Sequence, residues 1–249
     1  MSSIKALHIR LEGFTASFRH PLVISGVQLS TPMPAYSNLL GMMSACAGRV
    51  VRPEETRIGF EFYCRAHSQE LERKDRWELK GDHLRPVTRK KVPRVLRRRS
   101  GDIFEEMPQG IGWRQVYWEP RLDLYITNVE LKTIFENPIA TPCFGRSQDT
   151  AWIKWLREVD LYPSPKGHLG PTLIPYPQPG VAGLPVRLPE WFENSMMGRP
   201  RRAGPFGYYQ AMMPTAGDLR FEVERDDLFH PSDAKGKNDV IYLHRWLSG

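Results

Sequence analysis

LHIRLEGFTASFRHPLVISGVQLSTPMPAYSNLLGMMSACAGR, residues 7–49, decides how the rest of the chain is read. Leu7, Ile9 and Leu11 alternate with His8, Arg10 and Glu12, the period of a half-buried strand. A polar loop follows, with Ser17-Phe18-Arg19 near its start and Pro32 and Pro34 near its end. Ser37 then stands where a helix N-cap is expected, because its hydroxyl can accept a free N–H of the first turn. Leu39, Leu40, Met42, Met43, Ala45, Cys46 and Ala47 continue the helix, and Gly48 stops it. A helix apolar on nearly every side must be covered on nearly every side, so it is expected to lie against a sheet.

The bulk properties exclude several classes. At 249 residues the chain can bury a core as one domain or two. No apolar run approaches the roughly 18 residues of a membrane span, and the amino terminus has no export pattern, so no membrane partner is expected. Cys46, Cys64 and Cys143 are far apart and form no zinc spacing, which fits free thiols in a reducing cytoplasm. The net charge is +7, and its distribution matters more than its size. Eight Lys or Arg residues and no acid lie between Arg85 and Arg99, the footprint of a nucleic-acid binder.

Along the chain, residues 59–66 predict a second strand, and 69–83 an exposed strand entering a protruding segment. In that segment, 84–113, Pro86, Pro93 and Pro108 exclude a continuous helix, and Val87, Val92, Val95 and Leu96 are too few for a core. A long basic arm or hairpin is expected, and Pro120 to Thr127 then alternates as a strand. Residues 129–136 suggest a short helix. Residues 151–161 are ambiguous: Trp152, Trp155, Leu156 and Val159 fit a helix face, while Ile153, Trp155 and Val159 fit a strand less well. Tyr162 to Pro189 holds eight prolines and four glycines, an extended segment that marks the expected boundary of a smaller carboxy-terminal part. That part has a basic patch at Arg199, Arg201 and Arg202, an aromatic turn at 206–209, and strands near 219–223 and 240–243. The order strand, helix, strand, strand, short helix and a possible final strand over 4–160 is that of a βαββαβ ferredoxin-like domain, an α+β class.

Gly13, Ser17-Phe18-Arg19, Thr31-Pro32-x-Pro34, Ser37, Leu39, Gly41 and Ala47-Gly48-Arg49 together resemble the amino-terminal signature of the fifth family of CRISPR-associated proteins. The resemblance covers about the first 50 residues and returns weakly at Phe144-Gly145-Arg146-Ser147. It implies an RRM-like core of the RAMP superfamily, of the type I-B-like kind, with a β-hairpin thumb at about 82–118. It also implies a domain over 1–160 and a smaller β-containing, proline-rich part over 161–249. The implied function is non-catalytic: capping the 5′ handle of the crRNA in a type I Cascade complex, in antiviral defence or another RNA-guided role. The implied partners are the crRNA, the Cascade backbone and large subunits and, through the complex, target DNA; no cofactor is implied.

The arm residues Arg89, Lys90, Lys91, Arg94, Arg97, Arg98 and Arg99 are the strongest local signal, since cations on an extended arm can track a phosphate backbone. Arg114 leads back from the arm. Phe18 reads as core. The resemblance assigns Arg19 to RNA contact and adds Arg146 and Ser147; free N–H groups at the helix start make Ser37 and Asn38 a candidate anion site beside the capping role. The alternative function is a metal-independent endoribonuclease, with Tyr36, His20, His83 and Lys80 or Lys90 as candidate acid and base groups. No adjacent Lys-His pair, Walker loop, GxSxG or HExxH occurs. His8, His67 and His168 read as surface or strand positions.

Overall fold

Strand Ile4–Gly13 is the spine of the molecule, hydrogen-bonded on both edges. The computed structural model describes residues 3–20, 30–81, 95–97, 103–193, 202–214 and 219–247. It is a mixed α/β protein, mostly strands with few helices, built on a curled sheet. Around the spine the antiparallel order is Ala151–Pro163, Ile4–Gly13, Arg121–Ile126, Ile58–Tyr63. Beyond Ala151–Pro163 the same sheet continues through Leu228–Pro231, Asp239–Tyr242, Lys166–Leu169 and Phe221–Glu224. It then curls back on itself: Gly59 bridges Leu243, and the His244 N–H donates to the Ile58 carbonyl at 2.8 Å. Gly59 permits this closure, because a Cβ there would stand 2.7 Å from the Tyr242 carbonyl oxygen.

The core lies between one sheet face and the helix Tyr36–Ala47. Leu7, Ile9 and Leu11, with Phe60, Phe62, Leu122 and Leu124, pack against Leu39, Leu40 and Met43. The expected alternation is therefore present, but the opposite face is not simply solvated. His8, read as a surface or strand position, lies on a strand and is buried, because the sheet curls over it.

The helix differs from expectation in two ways. Its N-cap is Ala35 rather than Ser37, which lies inside the first turn. Asn38 Oδ1 accepts the Ala35 N–H at 3.0 Å, the reciprocal half of a capping box. Nor is the helix covered all round, for Gly41 and Ala45 form an exposed strip of small residues.

Residues 151–161 are strand throughout, not helix. A bulge opposite Arg10/Leu11 pairs Trp155 with Arg10 and Ile153 with Leu11. The extra residue shifts the side-chain alternation by one, so a strand shows apolar residues at helix-like spacing. The short helix at Lys132–Glu136 forms as expected, entered through a 3-10 turn at Val129–Leu131.

The protruding hairpin is longer than the expected 82–118. Ala66–Gly81 pairs with Ile103–Trp118 from Ala66↔Trp118 outward, so its base lies at 66. The aromatic stretch 206–209 is not a turn. It belongs to strand Phe206–Ala211, the centre of a three-stranded sheet with Leu173–Pro175 and Leu184–Pro189. Among the described residues no helix is long and apolar enough to cross a membrane.

Candidate nucleic-acid interface

Three separate stretches of sequence meet at the foot of the hairpin. Thr15–Ala16 adds to the hairpin edge, pairing with Trp118 and Tyr117. The Ser17 N–H donates to the Phe144 carbonyl at 2.9 Å, and the Ser17 hydroxyl donates to the Gln115 carbonyl at 2.9 Å. Gly145 makes the junction possible, with φ of +106° and its Cα against the Ser17 carbonyl, where no side chain fits.

Charge then locks this junction. Arg146 donates to both oxygens of the buried Asp149 at 2.7 Å each, and the Thr15 hydroxyl donates to Asp149 Oδ1 at 2.6 Å. Arg146 also lies 3.8 Å from Glu70 and from Glu72. Arg114 donates through Nε to Glu72 at 2.7 Å, with a second nitrogen at 2.6 Å from the same oxygen. The hydrogen bonds to Asp149, with its charge and those of Glu72 and Glu70, outweigh burial and hold the Arg146 pKa above the ordinary arginine value. Arg114 and Arg146, both expected at phosphate, thus meet in one network whose carboxylates occupy much of their donor capacity.

Ser147 is exposed at the turn beside this network. Arg19 is exposed as well, in a two-residue ladder that pairs Phe18–Arg19 with Ser30–Thr31. Phe18 is core, edge-on to Phe62 at 5.3 Å. Ser37 and Asn38 are half-buried and face a groove of about 930 Å³. Its walls are the Gly41–Ala45 strip, the Thr141–Gly145 loop, and Trp191, Phe192 and Arg202. Arg52 and Arg202 on its lining are balanced by Glu54 and Glu193, so the groove offers shape and hydrogen bonds more than net charge.

Along the hairpin, Val95–Arg97 pairs with Ile103–Glu105, which puts the backbone of Arg97 in the sheet. Arg89, Lys90, Lys91, Arg94, Arg98 and Arg99 lie outside the described residues, as does His83.

Tyr36, a candidate catalytic group by sequence, is 1% exposed. Its hydroxyl donates to the Leu173 carbonyl at 2.6 Å, and its ring stacks on His244 at 3.9 Å. Burial drives its pKa well above that of an ordinary tyrosine. His244 in turn meets Glu190 at 2.6 Å, a buried pair that sequence inspection misses because 54 residues separate the partners.

No protein-family model matches this chain, and no curated protein matches it. Several solved structures are similar, among them the following two. A chain described as "Crystal structure of a CRISPR protein from Archaeoglobus fulgidus" is 10% identical, with a TM-score of 0.43 over 97% of this chain and 100% of that one. A chain described as "CRISPR RNA-guided surveillance complex" is 15% identical, with a TM-score of 0.50 over 90% of this chain and 91% of that one. At that identity the likeness is one of fold: this chain shares its overall fold with a chain of a CRISPR RNA-guided surveillance complex.

Proposed function

We propose that this protein is a non-catalytic crRNA-binding subunit of a type I CRISPR surveillance complex, capping the 5′ handle of the guide. One observation carries the reading. In the sequence the eight cations of 85–99 fall between the paired strands Ala66–Gly81 and Ile103–Trp118, on a fold shared with a chain of such a complex. A basic hairpin beside a groove can follow a phosphate backbone while the groove takes unpaired bases.

The order 151–163, 4–13, 121–126, 58–63, all antiparallel and joined with one helix after the first strand and one after the third, supports a ferredoxin-like core of the RAMP kind. In this reading the strands Lys166–Leu169, Phe221–Glu224, Leu228–Pro231 and Asp239–Tyr242 extend the same sheet, and the described carboxy-terminal residues are available to neighbouring subunits. Arg19, Ser147, Ser37 and Asn38 are the described residues we assign to RNA, with Arg97 and the other arm cations. Arg114 and Arg146 act mainly by holding the foot of the hairpin to the body.

The salt dependence of RNA affinity tests the arm. Replacing Arg97, Arg98 and Arg99 with alanine is expected to reduce the slope of log affinity against log salt by about 0.7 for each phosphate no longer neutralised. An unchanged slope removes the arm from the interface. Metal-independent cleavage of repeat RNA in the presence of EDTA would move the assignment to the endoribonuclease alternative.

A further inference from the structure

The groove shares one of its walls with a second open surface. Strands Leu184–Pro189 and Phe206–Ala211 pair from Leu184↔Ala211 to Pro189↔Phe206. The ladder runs on: the Glu190 N–H donates to the Pro205 carbonyl at 2.9 Å, and the Gly204 N–H to the Trp191 carbonyl at 3.0 Å. Phe192 and Glu193 then pair with Ala203 and Arg202. One hairpin thus supplies the groove wall at Trp191, Phe192 and Arg202, and two strands of the three-stranded sheet completed by Leu173–Pro175.

Alternation decides what that sheet shows to solvent. Gly207, Tyr209 and Ala211 are buried, the last two in the core, so Phe206, Tyr208 and Gln210 take the outer side. Tyr208 is 64% exposed, although its strand is the central one. Arg187, directly across from Tyr208, lies 4.5 Å from the centre of the Phe206 ring and 5.8 Å from that of Tyr208. Tyr176, whose N–H donates to the Tyr208 carbonyl at 3.0 Å, is half exposed on the other side.

The charge on this face is unmatched. Arg10, Arg146, Arg220 and Arg225 each donate to a carboxylate. Arg187 is exposed and, among the described residues, pairs with none. The three strands hold no Asp or Glu, and Arg187 is their one charged residue. An open ring beside an unpaired guanidinium complements a nucleotide, whose base stacks on the ring while its phosphate meets the cation. The face has no means of reading a base edge. Gln210, its one side-chain amide, is buried, with Oε1 accepting the Gln178 N–H at 3.1 Å and Nε2 donating to the Val181 carbonyl. A surface that stacks and neutralises without reading base edges tolerates any sequence.

We propose that Tyr208 and Arg187 form a stacking platform for single-stranded nucleic acid, taking nucleotides that leave the groove along the shared hairpin. Tyr208 meets a base and Arg187 a phosphate. The proposal rests on reading the groove as a nucleic-acid site, and its sequence tolerance separates it from recognition of the handle.

Fluorescence anisotropy of the full chain with labelled uridine and deoxyuridine decamers tests it, with an abasic decamer as the phosphate-only control. The uridine decamer is expected to bind saturably, and an adenosine decamer within about fivefold of it. Tyr208→Ala is expected to weaken the base-bearing decamers about tenfold and the abasic decamer less than about twofold, while Tyr208→Phe, which keeps the ring, restores the affinity. Arg187→Met is expected to lower the salt slope by about 0.7. Preference for uridine over deoxyuridine assigns RNA as the occupant, and the absence of preference admits DNA as well. Equal affinity of the unaltered chain and folded Tyr208→Ala for the uridine decamer overturns the proposal and leaves this face to a protein partner. Failure of the uridine decamer to saturate below about 100 μM, in a chain that binds handle RNA, overturns the platform alone and leaves the proposed function standing. If Tyr208→Ala does not fold, photocrosslinking of a 4-thiouridine decamer to the unaltered chain decides: label within 206–211 supports the platform, and label confined to other segments overturns it.

Discussion

Tyr36 shows how little a residue type says about its role. A tyrosine near a histidine invites a catalytic reading, yet this hydroxyl is committed to a buried carbonyl. Tyr36→Phe leaves the Leu173 carbonyl without that donor, and is expected to cost about 1–3 kcal/mol in denaturant unfolding while leaving RNA affinity unchanged. Loss of RNA affinity at full stability would return Tyr36 to the functional surface. His8 makes a different prediction. Its folded pKa lies above the ordinary 6.5, raised against burial by Asp123 and Asp233, so its contribution is complete below that value and fades as pH rises through the folded pKa. The stability lost on His8→Asn is expected to shrink over the window that opens above about pH 6.5. A difference independent of pH over this window contradicts the assignment. Both cases mark a limit of sequence reading. The strand position of His8 is legible from its alternation with Leu7 and Ile9. Its partner Asp233 stands 225 residues away, and nothing local announces the contact.

At the scale of elements, periodicity is legible where one face of a strand is buried and the pairing is regular. Arg121–Ile126 shows its core residues at period two, with Leu122, Leu124 and Ile126 all buried. Ala151–Pro163 hides its identity because a bulge resets the alternation in mid-strand. The hairpin is legible from its charge and prolines, but its base at Ala66 is not, since mixed-charge residues give no signal of where pairing begins. The same limit applies to Arg114 and Arg146, whose charge is visible in the sequence while their carboxylate partners are not. Arg114→Ala leaves Glu72 at the hairpin base without its closest cation, and is expected to cost about 3 kcal/mol, read by chemical denaturation. RNA affinity should fall only as far as the foot of the hairpin loosens, so restoring the fold with stabilising solutes should restore binding. A loss of less than about 0.5 kcal/mol would show that the network does not hold the hairpin.

On the scale of the whole molecule, the first 160 residues carry most of the legible architecture, because strands and helices there can be read one by one, although the spine Ile4–Gly13 pairs with Arg121–Ile126 and Ala151–Pro163, over a hundred residues on. The closure of the sheet is not legible. It depends on Gly59 meeting the segment 239–244 across about three quarters of the chain, and only the fold reveals why that position carries no side chain. The groove is hidden for a similar reason, being assembled from the helix, the 141–145 loop and residues 191–193 and 202–204. The proposed function combines this body with a basic arm, so under that proposal binding should discriminate the handle sequence as well as the charge of RNA. The most direct measurement is the equilibrium affinity of the purified chain, at physiological salt, for RNA carrying the repeat-derived 5′ handle against the same nucleotides in shuffled order. The handle RNA is expected to bind more tightly by at least about tenfold, from a few bases worth about 1–3 kcal/mol each. Equal affinity for the two RNAs would contradict a handle-capping role.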